Sequence, residues 1–402
     1  MAYDFDIVHP RAGTNSIKWE YVVRNQTIKY WDATHERHGD ARVLPLWVAD
    51  MDFAVAPEIA AAIQQRAAHP IYGYGNVPPS YVDATVAWQL RRNHWAIERE
   101  WVLPIPGIVP AMHLLVRRFT APGDGVLLQR PVYHPFSYAA VNNGREVVNS
   151  ALRLRDGRYE MDFEDLERKA SDPRVKVALL CSPHNPVGRV WEAEELRQYA
   201  EICARHDVLV FADEIHSDLL MPGVEFVPFA AIDAARKCRF MVGTAASKSF
   251  NLAGLKTANL IISDAELRAE MAAEVRACGL LGMNPFGVVA TEAAYTHGDA
   301  WLDAATRYIA DNVVHLTQVL AHELPELVVI PLEGTYLVWV DMRALRLDSE
   351  ALGELLLKRA RLYLDEGHIF GPEGEGFVRI NVACPRSILD QALHRLRTAI
   401  RA

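Results

Sequence analysis

Three short apolar runs, at residues 177–180, 208–211 and 240–243, each break into a polar cluster: SPHNPVG at 182–188, DEIH at 213–216 and TAASKSFNLAGLK at 244–256. Apolar runs of this length between turn signals read as buried strands. A chain that keeps ending buried strands in polar residues is constrained toward an open α/β sheet, where ligand groups gather at the carboxyl ends of the strands. The spacing agrees. Asn185 and Asp213 lie 28 residues apart, and Asp213 and Lys248 lie 35 apart. Each interval has room for a crossover helix and a returning strand, so all three groups can reach one sheet edge. The stretch 192–207 has helical period, with Leu196, Tyr199, Ala200 and Cys203 on one face and Glu194, Glu195, Arg197 and Glu201 on the other. One edge would then present an amide, a carboxylate, an imidazole and a lysine.

A single loop lysine is ordinarily a solvated charge; in the company of the other clusters, Lys248 reads differently. Pyridoxal phosphate needs a lysine for its covalent link, a carboxylate that keeps its ring nitrogen protonated, donors to its phenolic oxygen and a phosphate cradle. Lys248, Asp213, Asn185 and His216 match the first three needs. A glycine opening a helix leaves backbone N–H groups free at a positive end, and GIVPAMH at 107–113 offers those of Ile108 and Val109 to the phosphate. Neither His184 nor His216 has the neighbours of a metal ligand set, so no metal is expected.

The chain resembles the fold type I pyridoxal-phosphate enzymes, the aminotransferase class I/II superfamily, and within it the bacterial cystathionine β-lyases (C–S lyases) of the MalY/PatB type. The likeness runs through FD at 5–6, SIKW at 16–19, PLWVADMDF at 45–53, YGYG at 72–75, PVYHPF at 131–136, the three clusters above and RIN at 379–381. It implies an α/β fold with a large domain, 53–295, whose mainly parallel seven-stranded-type sheet lies between helices. A small α/β domain would be built from both chain ends, 1–52 and 296–402.

The resemblance also implies roles. Tyr133 would lie against the pyridine ring and Ala49 beside the substrate carboxylate. Arg379 would clamp that carboxylate with its planar fork, although an arginine inside an apolar strand is also commonly a buried ion pair. Tyr74, with Tyr72 as the alternative, would reach the phosphate of a neighbouring subunit's cofactor, which implies a homodimer. Thr244 or Ser247 would supply a phosphate hydroxyl, and Lys256 a charge where relatives often carry arginine. Ala245 stands where many relatives have serine. His134 stands where some C–S lyases have a second tyrosine, and His216 where aminotransferases often have one.

Composition narrows the remaining classes. The 402 residues exceed what one core usually holds. A net charge of −9 gives no support to binding nucleic acid or an acidic membrane. Five cysteines without short pairing suit a reducing compartment. With no signal-peptide pattern and no bilayer-length apolar run, a cytoplasmic protein is expected. The first fifty residues read as an extended arm closing at 44–50, helices are expected at 57–68, 303–324 and 352–363, and small-sheet strands at 327–332, 336–340 and 377–382. The implied activity is β-elimination on L-cystathionine or a related cysteine S-conjugate, giving pyruvate, ammonia and a thiol. Aminotransfer by the same residues is the alternative, and a regulatory protein-binding role with secondary catalysis is the reading from another class.

Overall fold

In a computed structural model of the chain, the structure describes residues 3–24, 27–30, 43–280 and 282–402. Seven strands make the main sheet: β1 (Val102–Ile105), β2 (Gly125–Leu128), β3 (Glu146–Asn149), β4 (Val175–Cys181), β5 (Leu209–Asp213), β6 (Phe240–Thr244) and β7 (Ala258–Ile261). Their order across the sheet is β1-β7-β6-β5-β4-β2-β3. Only β7 runs against the others, through its antiparallel pairings with β6 and β1. Parallel strands are covered on both faces and so read as apolar runs; β5 is buried along its whole length.

Alternation along β4 feeds two cores, as a period of two requires. Val177, Leu179 and Cys181 pack with Met112, Leu115 and Met271 from the helices Ile108–Phe119 and Ala265–Ala277. Ala178 and Leu180 join Leu196, Tyr199 and Cys203 on the opposite face. Those last three lie on the helix Ala193–Arg205, whose start is fixed by a capping box between Glu192 and Glu195. Gly243 in β6 has a packing reason to be glycine: a Cβ there would stand 2.9 Å from both Ile108 Cδ1 and Phe211 Cζ. Its absence lets the helix at Ile108 seat close to the sheet.

A second, antiparallel sheet holds β8 (Val328–Val329), β9 (Leu337–Asp341), β10 (Asp365–Glu366) and β11 (Phe377–Asn381) in the order β8-β9-β11-β10. The long helix Asp299–Glu323 leads into it, and the helix Arg386–Arg401 closes the chain. Among the described residues, no helix is long and apolar enough to cross a membrane.

Some local expectations are corrected. The stretch 352–363 is not one helix: Ser349–Glu354 widens into a π turn at Leu355–Arg359, and Arg361 takes φ 52°. That turn redirects Leu362–Tyr363 into a parallel pairing with Leu44–Pro45, tying the amino-terminal segment to the carboxyl-terminal one. The segment expected to be an extended arm contains a helical turn, Ile17–Glu20, and an antiparallel pairing of Tyr21–Arg24 with Thr27–Tyr30; residues 1–2, 25–26 and 31–42 of that expectation lie outside the described ones. Of residues 327–332, only Val328–Val329 form a strand. Lys248 sits not in an open loop but in the helical turn Ala246–Ser249.

Candidate active site

Because β4, β5 and β6 are parallel, their carboxyl ends share one edge. Asp213 is the last residue of β5 and Thr244 the last of β6, while Asn185 follows the end of β4 by a short turn. The helical turn after β6 carries Ser247 and Lys248 onto the same edge.

The Lys248 Nζ donates to the carbonyl oxygen of Ala49 at 2.7 Å. The loop that supplies this carbonyl is tied on all sides. Asn381 Nδ2 donates to Val48 O and Asp50 O, each at 2.6 Å. Asn251 accepts from Met51 N at 2.9 Å and donates to Met51 O and Phe53 O at 2.9 and 3.1 Å. Burial pulls the lysine down to about 8, with Arg379 and Lys256 acting in the same direction and Asp50 and Asp213 opposing them. An amine poised there is available in both protonation states near neutral pH.

Asp213 is buried, and its Oδ1 accepts a bond from Ile215 N at 3.3 Å. Burial pushes its carboxyl up to about 7, with Ile215 N–H and the Lys248 charge pulling the other way. His216 is buried and held well below the ordinary imidazole range, first by burial and then by Lys248 and Arg379, so it is neutral. Its Nδ1 has no hydrogen-bond partner among the described residues.

Arg379, in β11, converges from the second sheet. Its Nη1 donates to Asn185 Oδ1 at 2.9 Å and its Nη2 to Trp47 O at 2.7 Å, and it pairs with the Asp365 carboxylate. The guanidinium lies over the Phe370 ring, 4.9 Å from its centroid, and Nε has no partner among the described residues. The arginine is therefore both a buried ion pair and a donor beside Asn185. Tyr133 is half-buried next to it, with its N–H donating to Asn185 O at 3.0 Å; burial raises its phenol. His134 stands against Tyr133, Tyr138 and Phe370, with ring centroids 5.1, 5.2 and 6.3 Å away. Burial, aided by Arg379, pulls it down to about 4, so its imidazole is neutral too.

At the other end of the site, Gly107 opens the helix Ile108–Phe119 with φ 136°, a conformation that favours glycine. The first-turn N–H groups of Ile108 and Val109 have no acceptor within the helix. Thr244 Oγ1 is buried without a partner among the described residues, whereas Ser247 is half-buried. Lys256 is exposed at φ 52°.

Two expected residues are not brought to this site within one chain. Tyr74 is fully exposed, and the Tyr72 hydroxyl is engaged locally, donating to Ala67 O at 2.6 Å with Arg66 over its ring. His184 is fixed behind the site, its Nε2 2.9 Å from Pro131 O. Among the described residues, no group of three or more His, Cys, Asp or Glu could hold a metal ion. The sequence reading missed Tyr336, Asp365, Asn251 and Asn381. Only the last two carried a local signal, as polar residues inside motifs already singled out.

The comparisons agree with this geometry. The profile of "Aminotransferase class I and II" matches residues 41–396. Cystathionine beta-lyase PatB of Bacillus subtilis is 39% identical over 397 residues, covering 99% of this chain and 100% of that protein. Protein MalY of Escherichia coli is 34% identical over 402 residues, covering 100% and 99%. The crystal structure of cystalysin from Treponema denticola, which contains a pyridoxal 5'-phosphate cofactor, superposes with a TM-score of 0.93 at 36% identity, covering 100% of this chain and 99% of that one. With its mainly parallel sheet, its lysine beyond β6 and its matched length, the chain belongs to the aminotransferase class I and II family.

Proposed function

We propose that the protein is a pyridoxal-phosphate-dependent carbon–sulfur β-lyase that cleaves L-cystathionine or a related cysteine S-conjugate to pyruvate, ammonia and a thiol. The observation that carries this reading is the Lys248 amine, lowered to about 8 and held 2.7 Å from Ala49 O, on one sheet edge with Asp213. The relative named cystathionine beta-lyase PatB, matched over its whole length, favours elimination over aminotransfer.

The residues fit the cofactor. Thr244 Oγ1 and His216 Nδ1 are buried polar atoms without partners among the described residues, and such atoms are costly unless something pairs with them. Lys248 would hold the cofactor covalently, with Asp213 facing its ring nitrogen and Tyr133 lying along its face. Asn185 and His216 would serve the phenolic oxygen. Ile108 and Val109 N–H, Thr244 or Ser247, and Lys256 would serve the phosphate. When bound, the cofactor supplies an electron sink for the pair left by the departing α-proton.

The protein's own groups do the rest. Arg379 binds the substrate carboxylate, oriented by Asn185 and Asp365. The neutral Lys248 Nζ takes the α-proton. Asp213 stays ionised once a cation faces it, because an opposite charge lowers its pKa. The pair left on the α-carbon forms a bond to the β-carbon as the thiolate departs, and water hydrolyses the released 2-aminoacrylate to pyruvate and ammonia.

The same reading divides the chain into a large domain, 53–295, and a small one, 1–52 with 296–402, one about each sheet. It makes the protein a cytoplasmic homodimer in which Tyr74 serves the phosphate of the second copy's cofactor; the exposed Ile71, Tyr72 and Tyr74 support a partner on that face. The test is to mix the purified, cofactor-loaded protein with L-cystathionine, and separately with an amino acid and 2-oxoglutarate. Pyruvate and thiol without a keto acid are expected, falling by about a thousandfold or more in Lys248→Ala. Turnover only with the keto acid would establish aminotransfer instead.

A further inference from the structure

Tyr336 enters no part of the chemistry so far, yet its hydroxyl meets the atom that holds the reactive lysine. The residue is fully buried, and a buried phenol needs a partner for its O–H. It donates to Ala49 O at 3.0 Å, the same carbonyl that Lys248 Nζ uses at 2.7 Å. A carbonyl oxygen has two lone pairs, so this one is fully used.

The backbone that delivers Tyr336 is strained. Thr335 takes φ 75°, a true outlier for a β-branched residue. It is kept there by Thr335 N donating to Leu219 O at 2.7 Å and by its Oγ1 accepting from Leu337 N at 3.1 Å. Gly334 before it packs so closely that a Cβ would stand 2.9 Å from Val190 Cγ2 and 3.0 Å from Pro183 Cβ. An aromatic ring that merely filled space would need neither the hydroxyl nor the strained approach.

We propose that Tyr336 is a positioning residue for Lys248: by occupying one lone pair of the Ala49 carbonyl, it fixes where the other lone pair points and so where the lysine amine stands. The inference rests on Lys248 being the proton carrier of the proposed reaction. Burial raises the Tyr336 phenol, so it remains a donor throughout the working pH range. Its bond also competes with the lysine's. Without the phenol, the carbonyl would serve the ammonium alone and favour the charged amine.

The test substitutes Tyr336→Phe, which removes one oxygen and keeps the ring. On the holoenzyme, kcat with L-cystathionine is expected to fall about tenfold while KM changes less than about twofold. On the cofactor-free full chain, competitive acetylation across pH, read at the Lys248 peptide by mass spectrometry, is expected to move the amine's titration up by about half a unit or more. Unchanged kcat and titration would overturn the proposal, as would a rise in KM alone. Should Tyr336→Phe fail to fold, Tyr336→3-fluorotyrosine keeps ring and donor while strengthening the acid, and a downward move is expected; an unmoved titration overturns the proposal. If the wild type yields no pyruvate, the functional reading fails, while the acetylation profile still decides the contact.

Discussion

At the scale of single residues, the site is a set of charges whose protonation depends on what faces them. Burial raises the Asp213 carboxyl from 3.8 to about 7, so the folded, cofactor-free protein keeps a proton that the unfolded chain releases. The stability this group contributes is therefore complete below about pH 4 and lost as pH climbs through about 7. Asp213→Asn removes the titration. In the cofactor-free protein, the melting temperature of wild type relative to this variant is expected to decline from pH 5 to pH 8, measured by calorimetry at each pH. Arg379→Lys keeps the charge but loses the fork that reaches Asn185, Trp47 and Asp365 together. KM for L-cystathionine is expected to rise about tenfold or more, which steady-state kinetics will read. Most of these residues were legible as letters. Tyr336 was not, because its importance lies in a carbonyl nearly three hundred positions away in the chain, about which its neighbours in sequence say nothing.

At the scale of elements, the loop before Phe53 is the part whose shape the chemistry needs, and it has little regular structure of its own. Asn251, three residues past Lys248 and in the left-handed conformation at φ 59°, makes three hydrogen bonds to its backbone. Asn251→Ala is expected to cost about 2–3 kcal/mol of stability, since buried backbone groups would lose their partners. Urea unfolding will measure that loss, and kcat should drop with it as Ala49 loses its place. Helix Ala193–Arg205 could be read in advance because its apolar period is a local property. The expected helix over 352–363 failed for the opposite reason. Helical composition there yields to a pairing of Leu362–Tyr363 with Leu44–Pro45, which no window of sequence contains.

At the scale of the whole molecule, the amino-terminal segment is locked onto the site's loop by ions rather than by apolar contact alone. Lys18 is fully buried, with its Nζ 2.6 Å from Asp52 Oδ2 and 3.6 Å from Asp50 Oδ1. Arg11 bridges the same two carboxylates, 2.6 Å from Asp52 and 3.1 Å from Asp50, and Trp19 Nε1 donates to Asp52 at 2.9 Å. Burial disfavours the Lys18 charge, but Asp52 and Asp50 outweigh it and raise the amine. Removing one partner strands buried charge, so Lys18→Met is expected to destabilise the fold by about 3–5 kcal/mol. The check is equilibrium unfolding, with Lys18→Arg as the charge-keeping control.

Likeness to a family singled out the arginine, while the sequence by itself determined the apolar strands β4, β5 and β6 and the candidate lysine, carboxylate and amide in the polar clusters at their ends. Those follow from local hydrophobic period and from spacing, which a chain carries whatever surrounds it. Tertiary structure alone decided that Arg379 pairs with Asp365 while keeping Nε open, that Tyr72 is used within its own loop, and that one carbonyl is shared by Lys248 and Tyr336. Hydrogen bonds and buried charges depend on which groups the folded chain brings within about 3 Å of each other, and that distance is set by packing between distant segments.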